Sequence, residues 1–130
     1  MSEIFNLEII SPDKKIIKAE VKQVNIPAFE GDMTILKDHI SLITFLRPGI
    51  IEVELLNGVE KFYIEEGTVE FYKNNLLILS STVKNKKDLN DEEISRILEN
   101  SKIDINKNKI KDKEKYILSY KIDTLQNLRN

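Results

Sequence analysis

The spacing of apolar residues changes about two thirds of the way along the chain, and this change limits the folds open to it. Up to Lys84, short runs alternate between apolar and polar residues, the period of a strand with one buried face. After Lys84, apolar residues recur every three or four positions, as in an amphipathic helix. The net charge also changes there, from −4 to +2. We therefore predict two domains, residues 1–84 and 85–130.

Turn-forming residues divide the first part into short strands. Phe5, Leu7 and Ile9 alternate with more polar neighbours, and Ser11-Pro12-Asp13 supplies a turn. Two further strands are predicted, one at residues 16–20 and one at residues 21–26. Pro27 is expected to end the second, because proline has no N–H to donate to a ladder.

The later strands follow the same pattern. Asn57-Gly58 lies between two alternating runs and predicts a type I′ hairpin turn, because both residues tolerate a positive φ. Residues 76–79, continuing to Val83, are apolar on both faces, as in a strand in the middle of a sandwich. About eight to ten short strands with such regular turns predict an antiparallel β-sandwich or closed barrel.

The second part predicts a two-helix hairpin, so the whole fold is mainly β plus α. Asn90 or Asp91 can cap a first helix whose apolar stripe is Ile94, Ile97 and Leu98. We expect a break over residues 101–108, followed by a second stripe of Leu118, Ile122 and Leu125. Helices of this length are not stable alone, so we expect them to pack on each other, on the sandwich or on another protein.

Composition excludes several classes of protein. The chain has 130 residues, no cysteine and a net charge of −2, so it has no thiolate metal site and no strongly basic nucleic-acid surface. Its apolar runs are shorter than the roughly 18 residues that a membrane span needs. The first residues show no secretory signal, and the expected compartment is the cytoplasm.

Catalytic chemistry has little support. His39 is the single histidine and follows Asp38 in a turn, where a hydrogen bond to the backbone explains it better than catalysis or metal binding. Carboxylates such as Glu65 and Glu66 suit a solvated surface. The glycine-rich phosphate-binding motifs are absent from the sequence. These residues predict a binding or structural module, with no catalytic residue, metal or cofactor.

One segment carries a resemblance to a known family. From Pro27 the chain presents Glu30-Gly31-Asp32, Leu36, the run from His39 to Leu42, and Arg47-Pro48-Gly49. In order and spacing this resembles the signature of the F-type ATP synthase epsilon subunit of bacteria, the counterpart of the mitochondrial delta subunit. The opening strand, the closing strand and the helical tail extend the resemblance over the whole chain.

The resemblance implies a non-catalytic rotor subunit of the central stalk. Such a subunit binds the gamma subunit and the c-ring in a complex with the alpha and beta subunits, and it couples proton-driven rotation to ATP synthesis. It would be a peripheral protein on the cytoplasmic face of the bacterial inner membrane.

The resemblance also implies two contact regions. The c-ring-facing region is the turn Phe29, Glu30, Gly31, Asp32 and Met33. The gamma-facing region is Ser11, His39, Leu42, Thr44 and Leu46.

The start of the tail departs from the family. Some bacterial members have a Leu-Asp-x-x-Arg-Ala-like motif associated with ATP binding, whereas this chain has an acid, Glu93, at the arginine position. We therefore expect no bound nucleotide and at most weak inhibition of ATP hydrolysis by the helices. The alternative function from another class is a free-standing sandwich that binds a small ligand or carbohydrate.

Overall fold

Nine strands and two α-helices make up most of the computed structural model, which describes residues 3–107 and 109–129. The strands are β1 (Phe5–Ser11), β2 (Lys14–Ala28), β3 (Gly31–Leu36), β4 (Leu42–Leu46), β5 (Gly49–Leu55), β6 (Gly58–Ile64), β7 (Gly67–Tyr72), β8 (Asn75–Leu79) and β9 (Lys84–Asn85). A 3-10 turn, Lys86–Asp88, precedes α1 (Asp91–Ile105) and α2 (Asp112–Leu128). The chain divides into two compact units, Met1–Lys86 and Lys87–Asn130.

Strand β2 organises the sheet, because it pairs with different neighbours along its length. Its first half pairs with β1, and its second half pairs with β3 and β5. The pairing register shifts between Val21 and Gln23, as it does at a β-bulge, and a bulge bends the strand. The prediction of two separate strands here was wrong, because the chain bends at this irregularity without leaving the sheet.

The bend folds the sheet into two layers. Strands β1, β8, β7 and β4 lie side by side in one layer, while β3, β5, β6 and β9 gather around the second half of β2. Neighbouring strands are antiparallel except β1 and β8, which run parallel. The predicted β-sandwich followed by two helices is confirmed, with this one parallel pair added.

The two layers enclose a single apolar core. Phe5, Leu7 and Ile9 point into it from β1, as their alternation predicts. The other strands contribute further buried side chains to this core: Val24, Ile35, Ile51, Val53, Ile64, Val69, Phe71 and Ile78. Each such side chain contributes about 1.5–3 kcal/mol when it is fully buried.

Two of the predicted turns differ in detail. Strand β2 continues past Pro27 to Ala28, because the carbonyl of Pro27 still accepts a hydrogen bond from the Arg47 N–H at 3.0 Å. The β5–β6 hairpin is present, but Leu55 pairs with Gly58, so Leu56 and Asn57 form the turn. Neither of those two is among the described residues with a positive φ, so the predicted type I′ turn was wrong.

The helical unit follows the predicted periodicity with one correction. Asn90 caps α1, its Oδ1 accepting from the Glu93 N–H at 2.7 Å, and Ile94, Leu98 and Leu125 are buried. The break predicted over residues 101–108 was wrong at its start, because α1 continues to Ile105; Asn108 lies outside the described residues. Ser101 fits the helix because its hydroxyl donates to the Ile97 carbonyl at 2.8 Å.

Candidate protein-interaction surface

Strand β4 turns large apolar side chains toward solvent. Ile43 is 77% exposed and Phe45 is 62% exposed, whereas the next residue, Leu46, is only 3% exposed. Strand alternation explains the difference, because successive side chains point to opposite faces. One face of β4 therefore belongs to the core, and the other presents an isoleucine and a phenylalanine to solvent.

The exposed residues of β4 continue across three neighbouring strands. Cross-strand pairing places Phe45 beside Thr68, Thr68 beside Leu79, and Leu79 beside Ile10. A second row runs from Ile43 through Glu70 and Leu77 to Glu8. We call the outward side chains of these two rows the outer sheet face.

The outer sheet face carries several apolar side chains at positions where a solvent-facing sheet normally has polar ones. Leu79 is 44% exposed, and Leu77 and Ile10 are half-buried. Tyr72, 54% exposed, follows on β7 at the end of the face. Contiguous exposed apolar patches on soluble domains mark interaction sites. Strand β8, predicted to lie in the middle of a sandwich because it is apolar on both faces, lies between β1 and β7, and its outward Leu79 is exposed.

The predicted gamma-facing residues lie around this face rather than on it. Leu42 and Thr44 are half-buried on the core side of β4, and Leu46 is part of the core. Ser11 is at the edge of the face, where it lines a shallow groove together with Thr68, Leu79 and Ser80. Ile43 and Phe45 take the outward positions on β4.

His39 is held in the connection before β4. Its backbone N–H donates to the Leu36 carbonyl at 3.1 Å, and its Nδ1 lies 2.8 Å from the Ile40 carbonyl oxygen. Its ring also meets the Phe71 ring edge to face, with centroids 5.9 Å apart. This environment orients the ring against the sandwich and fixes the approach of the chain to β4.

The predicted c-ring-facing turn closes the β2–β3 hairpin. Ala28 pairs with Gly31, so Phe29 and Glu30 form the tip, and the Phe29 N–H donates to the Phe45 carbonyl at 2.8 Å. Glu30 and Asp32 are exposed, whereas Met33 packs against the core. The backbone bond from Phe29 to Phe45 ties this turn to β4.

An ion pair between Arg47 and Asp32 also supports this turn. The Arg47 guanidinium, nearly buried, donates to Asp32 Oδ1 at 2.9 Å. Gly49 lets this segment lie close to the turn, because a Cβ there would be 2.6 Å from the Pro27 Cβ. The residues Arg47-Pro48-Gly49 thus shape the turn without being exposed themselves.

A surface ion pair lies at the other end of the outer sheet face. Lys15 Nζ is 2.9 Å from Glu8 Oε2, and this hydrogen bond lowers the pKa of the Glu8 carboxyl from its usual value. Lys15 thus compensates the charge of Glu8. Glu70, the other acid of the same row, is not in an ion pair among the described residues.

The five gamma-facing residues implied by the resemblance do not include Ile43, Phe45 or Leu79. A usable signal was present in β4, since Leu42, Ile43, Phe45 and Leu46 are all apolar and one face of an alternating strand is normally polar. An apolar residue on both faces of a strand at the margin of a sandwich indicates a surface that another molecule covers.

Other kinds of site find no support in the described parts of the chain. In residues 3–107 and 109–129, His, Asp and Glu do not gather in threes as a metal site would require. Neither described helix has the length and apolar character needed to span a bilayer.

Comparisons of sequence agree on one family. The profile described as ATP synthase, Delta/Epsilon chain, beta-sandwich domain matches residues 4–86. The ATP synthase epsilon chain of Pelagibacter ubique is 45% identical over 129 residues, which cover 98% of this chain and 99% of that protein. The epsilon chain of Afipia carboxidovorans is 33% identical, covering 73% of this chain and 70% of its own length.

Solved structures share the fold. A chain in the Euglena gracilis mitochondrial ATP synthase, in an OSCP/F1/c-ring structure, matches with a TM-score of 0.79 at 20% identity, covering 98% of this chain and 81% of its own. A chain in the Tetrahymena thermophila mitochondrial ATP synthase central stalk/c-ring structure matches with a TM-score of 0.64 at 13% identity, covering 96% of both chains.

Proposed function

Because the chain belongs to the ATP synthase epsilon chain family, we propose that it is a non-catalytic rotor subunit of a proton-translocating F-type ATP synthase. In this function it binds the gamma subunit and the c-ring, and it couples rotation of the ring to ATP synthesis by the alpha and beta subunits. It is then a peripheral protein on the cytoplasmic face of the bacterial inner membrane. The observation that carries the proposal is an exposed apolar sheet face on a chain of this family.

The outer sheet face is the proposed gamma-binding surface. Ile43, Phe45 and Leu79 supply apolar area, and burying such side chains drives association. Of the residues predicted from the resemblance, Ser11 and His39 contribute at its margin. Leu42, Thr44 and Leu46 act indirectly, because they anchor β4 to the core and so hold Ile43 and Phe45 outward.

The turn from Phe29 to Met33 is the proposed c-ring contact. Its exposed groups are the carboxylates of Glu30 and Asp32. Its backbone is held by β4 through Phe29, and its Asp32 side chain is held by Arg47. A rigid turn suits torque transmission, because force applied at its tip reaches the sandwich instead of bending the loop. The two structural neighbours come from assemblies that include a c-ring, which supports association of this chain with such an assembly.

The C-terminal helices are proposed to inhibit ATP hydrolysis weakly or not at all. The acid Glu93 stands where an ATP-binding relative has arginine, and it lies in the first turn of α1. An acid there would repel phosphate, so nucleotide binding is not expected to control the helices. Removing residues 88–130 from the assembled complex should leave its ATP hydrolysis rate nearly unchanged; a several-fold rise would contradict this.

Co-purification tests the rotor function directly. A tagged chain isolated from its source membranes should bring down the gamma, alpha and beta subunits. The variant Phe45→Asp should lose them, because it places a charge in the apolar surface. The control Val59→Asp changes an apolar position of similar exposure on the other layer and should retain them. A wild-type eluate without gamma would count against the rotor function and favour the free-standing ligand-binding sandwich.

A further inference from the structure

We propose that Glu70 is the specificity-determining residue of the outer sheet face, and that its partner surface places a lysine or arginine opposite it within an apolar patch. This inference rests on the proposed function, which supplies the gamma subunit as the partner. It adds the chemistry of the contact, which follows from the position of one carboxylate.

Glu70 lies in the middle of the apolar surface. On β4 its cross-strand neighbour is Ile43, and on β8 it is Leu77. The next outward positions along its own strand are Thr68 and Tyr72. These four neighbours are uncharged. Basic side chains lie only at the margin of the face, within the described residues: Lys18 is opposite Glu8 in the same row, and Lys73 Nζ is 5.3 Å from the centroid of the Tyr72 ring.

The free chain leaves this carboxylate in water. Glu70 is exposed, and within the described residues its side chain makes no ion pair or hydrogen bond. The other acid of the row, Glu8, is already neutralised by Lys15 at 2.9 Å. Glu70 thus differs from Glu8 in having its charge available to another molecule.

Covering the outer sheet face removes water from Glu70. A carboxylate transferred from water into an apolar contact without a counter-charge opposes binding strongly, whereas a carboxylate matched by a cation restores the lost solvation and selects the register of docking. A partner that buries Ile43 and Leu77 must therefore supply a basic group to the carboxylate between them. Surfaces that lack this group are rejected even if they are apolar.

The centre of the same face on a second copy of this chain offers no such basic group. The central outward residues of the face are Ile43, Phe45, Thr68, Glu70, Leu77 and Leu79, and none of them is basic. Two copies related by a two-fold axis would present acid-bearing apolar surfaces to each other. The charge of the face therefore favours a different, basic partner over self-association.

The test measures binding of the full chain to the isolated gamma subunit of the same ATP synthase by isothermal titration calorimetry at several salt concentrations. We expect Glu70→Gln to weaken binding about 10-fold and to reduce the salt dependence, and Glu70→Lys to weaken it about 30-fold or more. The matched control is Glu54→Lys, a strand carboxylate on the outward side of the other layer between Gln23 and Val59, and it should change Kd by less than about threefold.

The outcomes separate the two proposals. Wild-type binding with Glu70→Lys no weaker than Glu54→Lys would overturn the role of Glu70 and leave the rotor function standing. No wild-type binding to gamma would overturn both. A wild-type dimer at micromolar concentration in sedimentation would overturn the role of Glu70 and leave the rotor function standing. Restoration of Glu70→Lys binding by a Lys→Glu or Arg→Glu substitution in gamma would support the pair directly, since only contacting residues compensate in this way.

Discussion

Asp38 and Asn74 hold two turns of the sandwich together through reciprocal hydrogen bonds. Asn74 Oδ1 accepts from the Asp38 backbone N–H at 2.7 Å, and Asn74 Nδ2 donates to Asp38 Oδ1 at 3.0 Å. Both residues have positive φ, 66° for Asp38 and 61° for Asn74. The pair joins the turn before His39 to the turn between β7 and β8. It therefore helps to position β4 and β7, which carry Ile43 and Glu70 at the centre of the outer sheet face.

Replacing Asn74 should therefore destabilise the sandwich in two separable ways. Asn74→Ala loses both hydrogen bonds. It also leaves an alanine, which has no side-chain hydrogen bond to offset the strain, in the left-handed region of backbone conformation. Together these effects should lower the free energy of unfolding by about 2–3 kcal/mol. Asn74→Gly loses the same bonds without the backbone strain. We expect the glycine variant to be about 1 kcal/mol more stable than the alanine variant in urea unfolding. Equal stabilities would show that strain at this position is negligible.

Gly49→Ala should destabilise the segment that supports the turn from Phe29 to Met33. The added Cβ would lie 2.6 Å from the Pro27 Cβ and 2.9 Å from its Cγ, and a proline ring joined to a paired strand cannot move aside easily. Overpacking of this kind costs about 1–3 kcal/mol. The measurement is the urea midpoint, with Ser41→Ala, an exposed position, as the control. An unchanged midpoint for Gly49→Ala would mean that the two segments can separate without loss.

The stability of the sandwich should fall at high pH through Tyr63. Burial, and then the charge of Glu65 and the 2.9 Å hydrogen bond that Tyr63 donates to it, raise the pKa of the Tyr63 phenol above its usual value of 10.0. The folded state therefore holds this proton more tightly than the unfolded state. The corresponding stability is fully present below pH 10 and is lost as the pH rises beyond it.

The variant Tyr63→Phe provides the control for this pH dependence. It should be about 1 kcal/mol less stable at neutral pH, because the hydrogen bond to Glu65 is lost. Its stability should then decline less than that of the wild type between pH 9 and about 11, in the window above the unfolded value. Parallel pH profiles for the two proteins would exclude Tyr63 as the titrating group.

Asn90→Ala should loosen the start of α1. The Asn90 side chain accepts from the Glu93 N–H at 2.7 Å and satisfies one of the unpaired donors at the helix start. Removing it should lower local stability by about 1 kcal/mol, and Asn90→Asp should retain the cap. Amide hydrogen exchange over the first turns of α1 measures this directly. Unchanged exchange in the alanine variant would show that packing alone fixes the helix start.

Much of the fold was predictable because local periodicity reflects it. The alternation of Phe5, Leu7 and Ile9 predicted a strand with one buried face, and all three are buried. The stripe containing Ile94 and Leu98 predicted an amphipathic helix in the same way. Errors arose where a local signal competed with a contact from elsewhere in the chain. Pro27 remains in the sheet through its carbonyl, and Ser101 remains in the helix through its hydroxyl.

The outer sheet face was less predictable than the fold. Local sequence is enough to show that the residues of β4 are apolar on both faces. It also shows that the two parts of the chain have different periods and that an epsilon-like signature lies between Pro27 and Gly49. Side chains at i and i+2 share a strand face, so these features depend only on neighbours in the chain.

Only the tertiary structure decided which face of β4 is covered and what lies beside it. The pairing of β4 with β7, of β7 with β8, and of β8 in parallel with β1 brings Phe45, Leu79 and Ile10 into one row and places Glu70 between Ile43 and Leu77. These residues are far apart in sequence, and no local pattern specifies the order of strands in a sheet. Strand order depends on which arrangement buries the apolar faces of all the strands together, and those faces come from distant parts of the chain.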